Sequence, residues 1–375
     1  MQPTPDALKR LQPIGWPDSD ALRAALAAAP GARLARVIEQ HRSGYVVATG
    51  EDEAFPAQAP APWLRPRFPP EERAAVGDWV TLEPVHAQIV ALLPRTSLLK
   101  RGAAGEHYKQ QLIAANVDVV FVVTGLDHDF NPRRLERYLL VVKAGGAQPV
   151  LVLTKADLGA DVDAALAALA GIRAEGIRVH ALNAKDPAAV GAALHDLLGP
   201  GRSAVLVGSS GAGKSTLTNT LLGRERMRTA DVRATDSRGR HTTTHRALLP
   251  LPTGGVLIDT PGMRELKLTG EEDIEDGGFE DLEALAATCR FRDCGHEAEP
   301  GCAVRAALEA GTLAPARLAS WRKLAGELAG AAAQAALRRA QRAEEKIPGK
   351  RNAGRPAPGR GARGDDAPGG RGGRR

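Results

Sequence analysis

The chain has 375 residues, which is too long for one ordinary domain and suits two or three. Apolar residues make up 43% of it and charged residues 25%, the balance of a globular protein with buried cores. It contains no apolar run of about eighteen residues and no basic flank followed by an apolar stretch at its start, so we expect no membrane span, no secretory signal and a cytoplasmic location. The formal net charge of +6 fits a polyanionic partner.

The first third of the chain predicts a small β-barrel. Residues 1–32 form an extension rich in Pro and Ala, with one short helix and no assigned role. Residues 33–97 contain four short strand patterns separated by Pro- and Gly-rich connections such as 56–70; these patterns are 34–39, 45–49, 78–82 and 88–92. A barrel closes such a set of strands. An oligonucleotide-binding (OB-like) barrel fits, although the strand pattern alone does not separate it from other small barrels.

The pattern changes to alternating strands and helices further along, and we assign residues 98–271 to one α/β domain. Continuous valine-rich runs predict buried strands at 117–124 and 150–153, and further strands follow at 178–182, 204–207 and 256–258. Helical spacing predicts helices at 133–144, 161–170 and 188–198. This alternation predicts a parallel sheet with right-handed crossovers.

The alternation stops near residue 272, and two further segments follow. Residues 272–347 contain all three cysteines of the chain with a histidine among them, a set that suits zinc, and they are predicted to form a helical, zinc-binding domain with a helix at 314–346. The tail 348–375 carries eight Lys or Arg among Gly, Pro and Ala, so it should be a disordered basic arm or a merely solubilising one.

A phosphate-binding loop occurs between a predicted strand and a predicted helix. The sequence Gly-Ser-Ser-Gly-Ala-Gly-Lys-Ser matches the P-loop pattern at each fixed position. Its glycines let backbone N–H groups face a polyphosphate, while Lys214 reaches the β- and γ-phosphates and Ser215 is a candidate Mg²⁺ ligand. The candidate nucleotide-binding residues here are Gly208, Ser209, Ser210, Gly211, Ala212, Gly213, Lys214, Ser215 and Thr216.

Two loops upstream resemble guanine-binding motifs. The first, at the end of a predicted strand, consists of Thr154, Lys155, Ala156 and Asp157 and resembles Asn-Lys-x-Asp. A carboxylate at Asp157 can accept two hydrogen bonds from guanine, whereas adenine offers no such donor pair. The second follows the next strand and consists of Asn183, Ala184 and Lys185. Two such loops after consecutive strands favour GTP over ATP.

Two switch-like segments lie downstream of the P-loop. Asp259 ends a predicted strand and suits Mg²⁺ binding through water, and Gly262 offers an N–H to the γ-phosphate. The polar segment 239–244 includes Thr243, a candidate Mg²⁺ ligand and catalytic residue. Because the guanine loops precede the P-loop, the motif order predicts a circularly permuted GTPase. This order also places the second switch beside the C-terminal segment, so nucleotide state could reach that segment directly.

All three cysteines lie within fourteen residues, together with one histidine. Disulfides are rare in the cytosol, so this clustering favours a metal site. Three thiolates and one imidazole suit a closed, structural Zn²⁺ site. The predicted ligands are Cys289, Cys294, His296 and Cys302.

Taken together, these motifs resemble the RsgA (YjeQ) family of circularly permuted, ribosome-dependent GTPases. The resemblance covers roughly residues 33–325 and includes the stretches 114–118, 129–137 and 239–244 and the zinc spacing. It implies an oligonucleotide-binding barrel, a permuted GTPase domain and a zinc domain. It also implies that the protein binds the small ribosomal subunit and its RNA late in assembly and leaves upon GTP hydrolysis. Met263 stands where many GTPases carry a catalytic Gln, and the resemblance assigns that role to His241.

Two alternatives stay open at this point. One is a P-loop ATPase or kinase acting on a small molecule, which would leave Asp157 and the cysteine segment without a purpose. The other is a GTP-binding RNA adaptor without significant turnover. The expected cofactors are GTP/GDP, Mg²⁺ and one Zn²⁺. We also expect a monomer with no DNA partner.

Overall fold

The computed structural model describes residues 8–17, 19–28, 31–41, 44–65, 68–102, 110–225, 247–259, 268–274 and 279–345. Residues 8–17 and 19–28, to which we assigned no role, contribute buried side chains to the N-terminal region. Helix α1 (Asp20–Ala27) is capped by the Ser19 side chain, and Trp16 is buried in a T-shaped contact with Trp79 at 4.8 Å between ring centroids. This part of the extension is therefore an integral part of the fold.

Five antiparallel strands form a barrel-like unit. They are β1 (Arg33–Gln40), β2 (Tyr45–Ala48), β3 (Ala54–Ala57), β4 (Trp79–Leu82) and β5 (Ile89–Leu92). Strand β1 pairs with both β2 and β4, which brings apolar side chains together inside; among these are Ala35, Val37, Val47, Val80, Leu82 and Ile89. Strand β3 was missed because it overlaps the Pro-rich connection. Its Pro56 is tolerated since β3 ends the order of paired strands.

A mixed, mostly parallel sheet forms the centre of the molecule, as the alternating pattern predicted. Its strands are β8 (Val119–Gly125), β9 (Gln148–Thr154), β10 (Arg178–Ala181), β11 (Ser203–Val207), β12 (Ala247–Pro250) and β13 (Val256–Asp259). The spatial order is β10-β9-β8-β11-β13-β12, with β12 antiparallel to β13. Connecting helices are α2 (Pro132–Ala144), α3 (Val162–Ala168), α4 (Ala170–Ala174), α5 (Pro187–Leu194) and α6 (Lys214–Leu222).

The chain enters this sheet in the middle and fills it in two directions. It runs outward from β8 to β10 and returns to place β11 beside β8. On the other side it forms β12 first and then places β13 between β11 and β12. Strands β8, β9 and β11 are buried because helices cover both faces, which explains their unbroken valine-rich sequences.

Strand pairing and an ion pair make further connections between parts of the protein. Strand β12 pairs with β1, so the barrel strands continue the central sheet. A separate hairpin of β6 (Leu98–Gly102) and β7 (Gln110–Ala115), which the sequence did not predict, has a Lys100–Glu271 ion pair to the segment after β13.

The C-terminal region is helical, as predicted, with α7 (Glu280–Ala287), α8 (Ala303–Glu309) and the long α9 (Pro315–Glu345). Helix α9 is fastened to α2 by the buried carboxylate of Glu136, which accepts hydrogen bonds from Arg317 and Ser320 at 2.7 Å each. Gly270 touches the backbone of α9 so closely that a Cβ there would lie 2.4 Å from the amide nitrogen of Ala332. Among the helices described, none has the length and apolar character needed to cross a bilayer.

Candidate functional site

The carboxyl ends of five parallel strands meet at one edge of the sheet. Strands β8, β9, β10, β11 and β13 all run in the same direction, so the loops that follow them lie side by side. This edge is where α/β sheets bind their ligands. The P-loop, both guanine-type loops and Asp259 all lie at this edge, although the sequence presents them in the order 154, 183, 208 and 259.

Glycines allow the backbone conformation of the P-loop. Gly208 adopts φ +144°, and a Cβ there would lie 2.1 Å from the carbonyl oxygen of Val123. Gly213 has φ +92° and immediately precedes the first residue of α6, Lys214. The loop therefore ends at a helix N-terminus, where free N–H groups and the helix dipole favour an anion.

Lys214 lies over the loop from which it extends. Its Nζ donates to the carbonyl oxygens of Gly208 at 2.8 Å and Ser209 at 2.5 Å. Burial lowers the pKa of Lys214 to about 8, and the nearby carboxylates of Asp129 and Asp259 oppose that shift. Lys214 and Asp259, which ends β13, therefore lie near each other at this edge of the sheet.

The first guanine-type loop is attached directly to the P-loop. The Thr154 hydroxyl donates to the carbonyl oxygen of Ala212 at 2.7 Å, so the residue that replaces Asn connects the two loops. Lys155 adopts a left-handed φ of +62° and pairs with Asp127 at 2.6 Å. Burial opposes ionisation of Asp127, but the Lys155 ammonium and the Asp129 backbone N–H outweigh it and lower the pKa of Asp127. Asp157 is exposed at the mouth of this edge.

The second guanine-type loop is attached to the helix that follows the P-loop. Thr220 on α6 donates to the carbonyl oxygen of Ala184 at 2.7 Å. The Asn183 side chain accepts from the Lys185 backbone N–H at 2.9 Å, which closes a tight turn directly after β10. Ala156 and Lys185 complete these loops, with Lys185 exposed.

Three predicted residues lie outside the described residues: His241, Thr243 and Gly262. Of the candidate Mg²⁺ ligands, Ser215 and Asp259 are described, and both are partly buried at the same edge of the sheet.

The Cys/His cluster has the dimensions of a tetrahedral zinc site. The ligand atoms of Cys289, Cys294, His296 and Cys302 all lie within 4.8 Å of one another. Nδ1 of His296 is 3.6 Å from Sγ of Cys289 and 3.5 Å from Sγ of Cys302, and the two sulfur atoms are 4.0 Å apart. Zinc–sulfur bonds of about 2.3 Å in a tetrahedron place sulfur atoms about 3.8 Å apart, so these residues fit the ion.

This cluster is held to α9 by backbone and ring contacts. His296 adopts φ +60°, and its carbonyl oxygen accepts from Arg322 on α9 at 2.9 Å. The imidazole makes a T-shaped contact with Trp321 at 5.9 Å. The cluster therefore connects a short segment that lacks its own core to the long helix.

Proteins of known family are similar to this chain over most of its length. The RsgA GTPase family model matches residues 92–269. A "Small ribosomal subunit biogenesis GTPase RsgA" from Xanthomonas oryzae pv. oryzae (strain PXO99A) is 62% identical over 355 residues, covering 93% of this chain and 97% of the relative.

The chain belongs to the RsgA GTPase family.

A second relative with the same description, from Xanthomonas euvesicatoria pv. vesicatoria (strain 85-10), is 61% identical and covers 96% of this chain and 100% of its own length. As an RsgA-family protein, the chain is a GTP-hydrolysing enzyme.

Solved structures support the fold. The crystal structure of YjeQ from Thermotoga maritima matches with a TM-score of 0.58 and 24% identity, covering 80% of this chain and 99% of that one. A second match, titled "The crystal structure of YloQ, a circularly permuted GTPase", has a TM-score of 0.56 and 23% identity, covering 80% and 96%. The RsgA-family chain thus has the permuted order that its motifs predicted.

Sequence reasoning missed the loop that follows β8. Asp127 and Asp129 contact the guanine-type loop and the P-loop, respectively, yet the sequence analysis gave neither a role. A signal for them was present but was not used: two carboxylates come directly after a buried strand, at the edge where all the motifs converge.

Proposed function

We propose that this GTPase acts in the biogenesis of the small ribosomal subunit, binding that subunit and its RNA and leaving when GTP is hydrolysed. The observation that carries the proposal is the hydrogen bond from Thr154 to Ala212, which joins the guanine-type loop to the P-loop although their order in the chain is permuted. A relative that is named a small ribosomal subunit biogenesis GTPase is 62% identical to this chain over 355 residues, which cover 93% of the chain.

The base-binding part of the proposal assigns guanine recognition to the two loops after β9 and β10. Asp157 accepts the two guanine N–H groups, and the Lys155 stem covers one face of the base. The second loop presents its backbone N–H groups to the guanine carbonyl. The residues assigned to this task are Thr154, Lys155, Ala156, Asp157, Asn183, Ala184 and Lys185.

The phosphate-binding part assigns the chemistry of hydrolysis. The loop from Gly208 to Ser215 surrounds the phosphates, and Lys214 neutralises charge on the β- and γ-phosphates. Ser215, Thr243 and Asp259 would hold Mg²⁺, which would supply electrostatic stabilisation of the transferring phosphoryl group. Gly262 contacts the γ-phosphate. His241 orients the attacking water, because Met263 has no group that can do so.

Cys289, Cys294, His296 and Cys302 would hold a structural zinc ion, which would stabilise the segment between α7 and α8. Communication from the nucleotide to this region has support in the fold. The residues after β13, including Gly270, pack on α9, so a change in the second switch acts on the helix that carries the zinc segment.

The remaining parts of the proposal concern the whole chain. We divide it into residues 1–32, an OB-like barrel at 33–97, the GTPase domain at 98–271, a zinc-binding domain at 272–347 and a basic tail at 348–375. The positive net charge of +6 suits contact with ribosomal RNA. The protein then works as a cytoplasmic monomer on the subunit.

Co-sedimentation with purified small subunits tests this function. Binding should be stronger with a non-hydrolysable GTP analogue than with GDP, and subunits should accelerate hydrolysis in single-turnover reactions. Nucleotide-dependent binding without acceleration would favour a non-enzymatic adaptor in its place. Equal binding in every nucleotide state would remove the proposed cycle.

A further inference from the structure

A short loop after β8 contacts both nucleotide-binding loops. We name residues 126–131 the bridging loop. Its Asp127 accepts from Nζ of Lys155 at 2.6 Å, and its Asp129 accepts from Oγ of Ser209 at 2.5 Å to each carboxylate oxygen. The Asp129 backbone N–H in turn donates to Asp127 at 2.9 Å, which fixes the two carboxylates relative to each other. The bridging loop therefore contacts both the proposed base-binding loop and the P-loop.

The Asp129 carboxylate is surrounded by donors. Its side chain is 11% exposed and pairs with Arg134 in the first turn of α2 at 2.6 Å. The Thr124 hydroxyl and the Gly125 backbone N–H approach the same carboxylate at 3.3 and 3.4 Å. Because Arg134 compensates its charge, the carboxylate can lie beside a phosphate site without strong repulsion.

Ser209 is held from two sides as a result. Its hydroxyl donates to Asp129, and its carbonyl oxygen accepts from Lys214 at 2.5 Å. Ser209 is the second residue of the P-loop, so its orientation fixes the direction of the neighbouring backbone N–H groups. A loop held in its binding conformation before the ligand arrives loses less entropy upon binding.

We propose that Asp129 is a positioning residue, which holds Ser209 so that the P-loop is preorganised for the β- and γ-phosphates. This inference rests on the proposed nucleotide site. Asp129 acts through Ser209 and does not itself touch the nucleotide. Its partner in the same loop, Asp127, acts on the base-binding end through Lys155.

The test measures the affinities of GDP, GTP and GMP by competition with a fluorescent guanine nucleotide. Asp129→Asn removes the charge-assisted contact and places an amide beside Arg134, so GDP and GTP should bind about tenfold more weakly. GMP, which lacks the β- and γ-phosphates, should change little. Ser209→Ala should reproduce this pattern. The double variant should be no worse than Asp129→Asn alone, since both substitutions remove the same contact between Asp129 and Ser209.

Two control substitutions each remove one negative charge at another position, as Asp129→Asn does. Asp127→Asn should weaken GMP, GDP and GTP alike, because it disturbs the base-binding end. Asp163→Asn changes an exposed residue on α3 and should bind as the parent chain does. The melting temperature of each variant reports folding, and Ser209→Ala carries the test if Asp129→Asn is unstable.

The results separate this inference from the proposed function. A parent chain that binds no guanine nucleotide would defeat the proposed site as a whole. Unchanged GDP and GTP binding in Asp129→Asn or Ser209→Ala would defeat the inference alone. So would equal weakening of GMP, or additive effects in the double variant.

Discussion

A buried arginine should be a major source of stability between the barrel and the GTPase sheet. Arg36 on β1 is fully buried and donates to the carbonyl oxygens of Ile14 at 2.5 Å and Gly77 at 3.1 Å and to the Ser203 hydroxyl at 2.8 Å. Its guanidinium also lies 5.1 Å from the centroid of a ring of Trp79. One side chain thus joins the N-terminal extension, the barrel and the first residue of β11.

Replacement of Arg36 by Met keeps much of the volume and leaves these buried acceptors without their donor. Each buried acceptor left without its donor costs about 1–3 kcal/mol, so the three acceptors together cost about 3–9 kcal/mol. We expect the lower end, about 3 kcal/mol, because burial lowers the pKa of Arg36 to about 10, and the loss of a costly buried charge offsets part of the penalty.

Urea unfolding followed by tryptophan fluorescence measures this change, since Trp16 and Trp79 pack beside the site. The midpoint should fall by about 1 M for a slope near 3 kcal/mol per M. Arg23→Met, at an exposed position on α1, is the control and should shift the midpoint little. GTP binding should survive at low urea, because Ser203 begins β11 and the P-loop follows its other end. An unchanged midpoint for Arg36→Met would refute the reasoning.

Three further predictions concern the site. Asp157→Asn should weaken GTP by about 2–3 kcal/mol, roughly 30–150-fold, and gain xanthosine triphosphate, as competition binding measures. His241→Ala should keep GTP affinity and lose subunit-stimulated hydrolysis, measured in single-turnover reactions. Cys302→Ser should lower the zinc content measured by atomic absorption and should unfold the region around α8 at a lower temperature, because the ion links segments that have little core of their own.

Each of these has an outcome that would contradict it. Unchanged guanine preference in Asp157→Asn would remove the base-recognition assignment. Full stimulation in His241→Ala would assign the water to another group. A Cys302→Ser protein with one zinc per chain and unchanged melting would show that the cluster does not depend on this thiolate.

The positive φ values of two P-loop glycines explain why the P-loop could be predicted from the sequence. Gly208 and Gly213 occupy conformations that a side chain would strain or block, so the chemistry of the loop is visible in the sequence itself. The buried strands β8, β9 and β11 were predicted equally well, because burial on both faces requires continuous apolar residues.

Local patterns failed where non-local contacts decide the structure. Strand β3 contains a proline and follows no clear alternation, and it forms because β2 offers it an edge. The burial of Trp16 against Trp79 also depends on a partner far along the chain. Propensity carries no information about such partners.

By itself, the sequence determined the chemistry of this protein: a P-loop, guanine-type loops in permuted order and a Cys/His cluster, each encoded by neighbouring residues. The tertiary structure alone decided which residues support that chemistry. Asp129 meets Ser209 across 80 positions, Glu136 meets Arg317 across 181, and Arg36 meets Ser203 across 167. The physical reason is that sheet order and helix packing bring distant side chains together, and no local pattern in the chain records those distances.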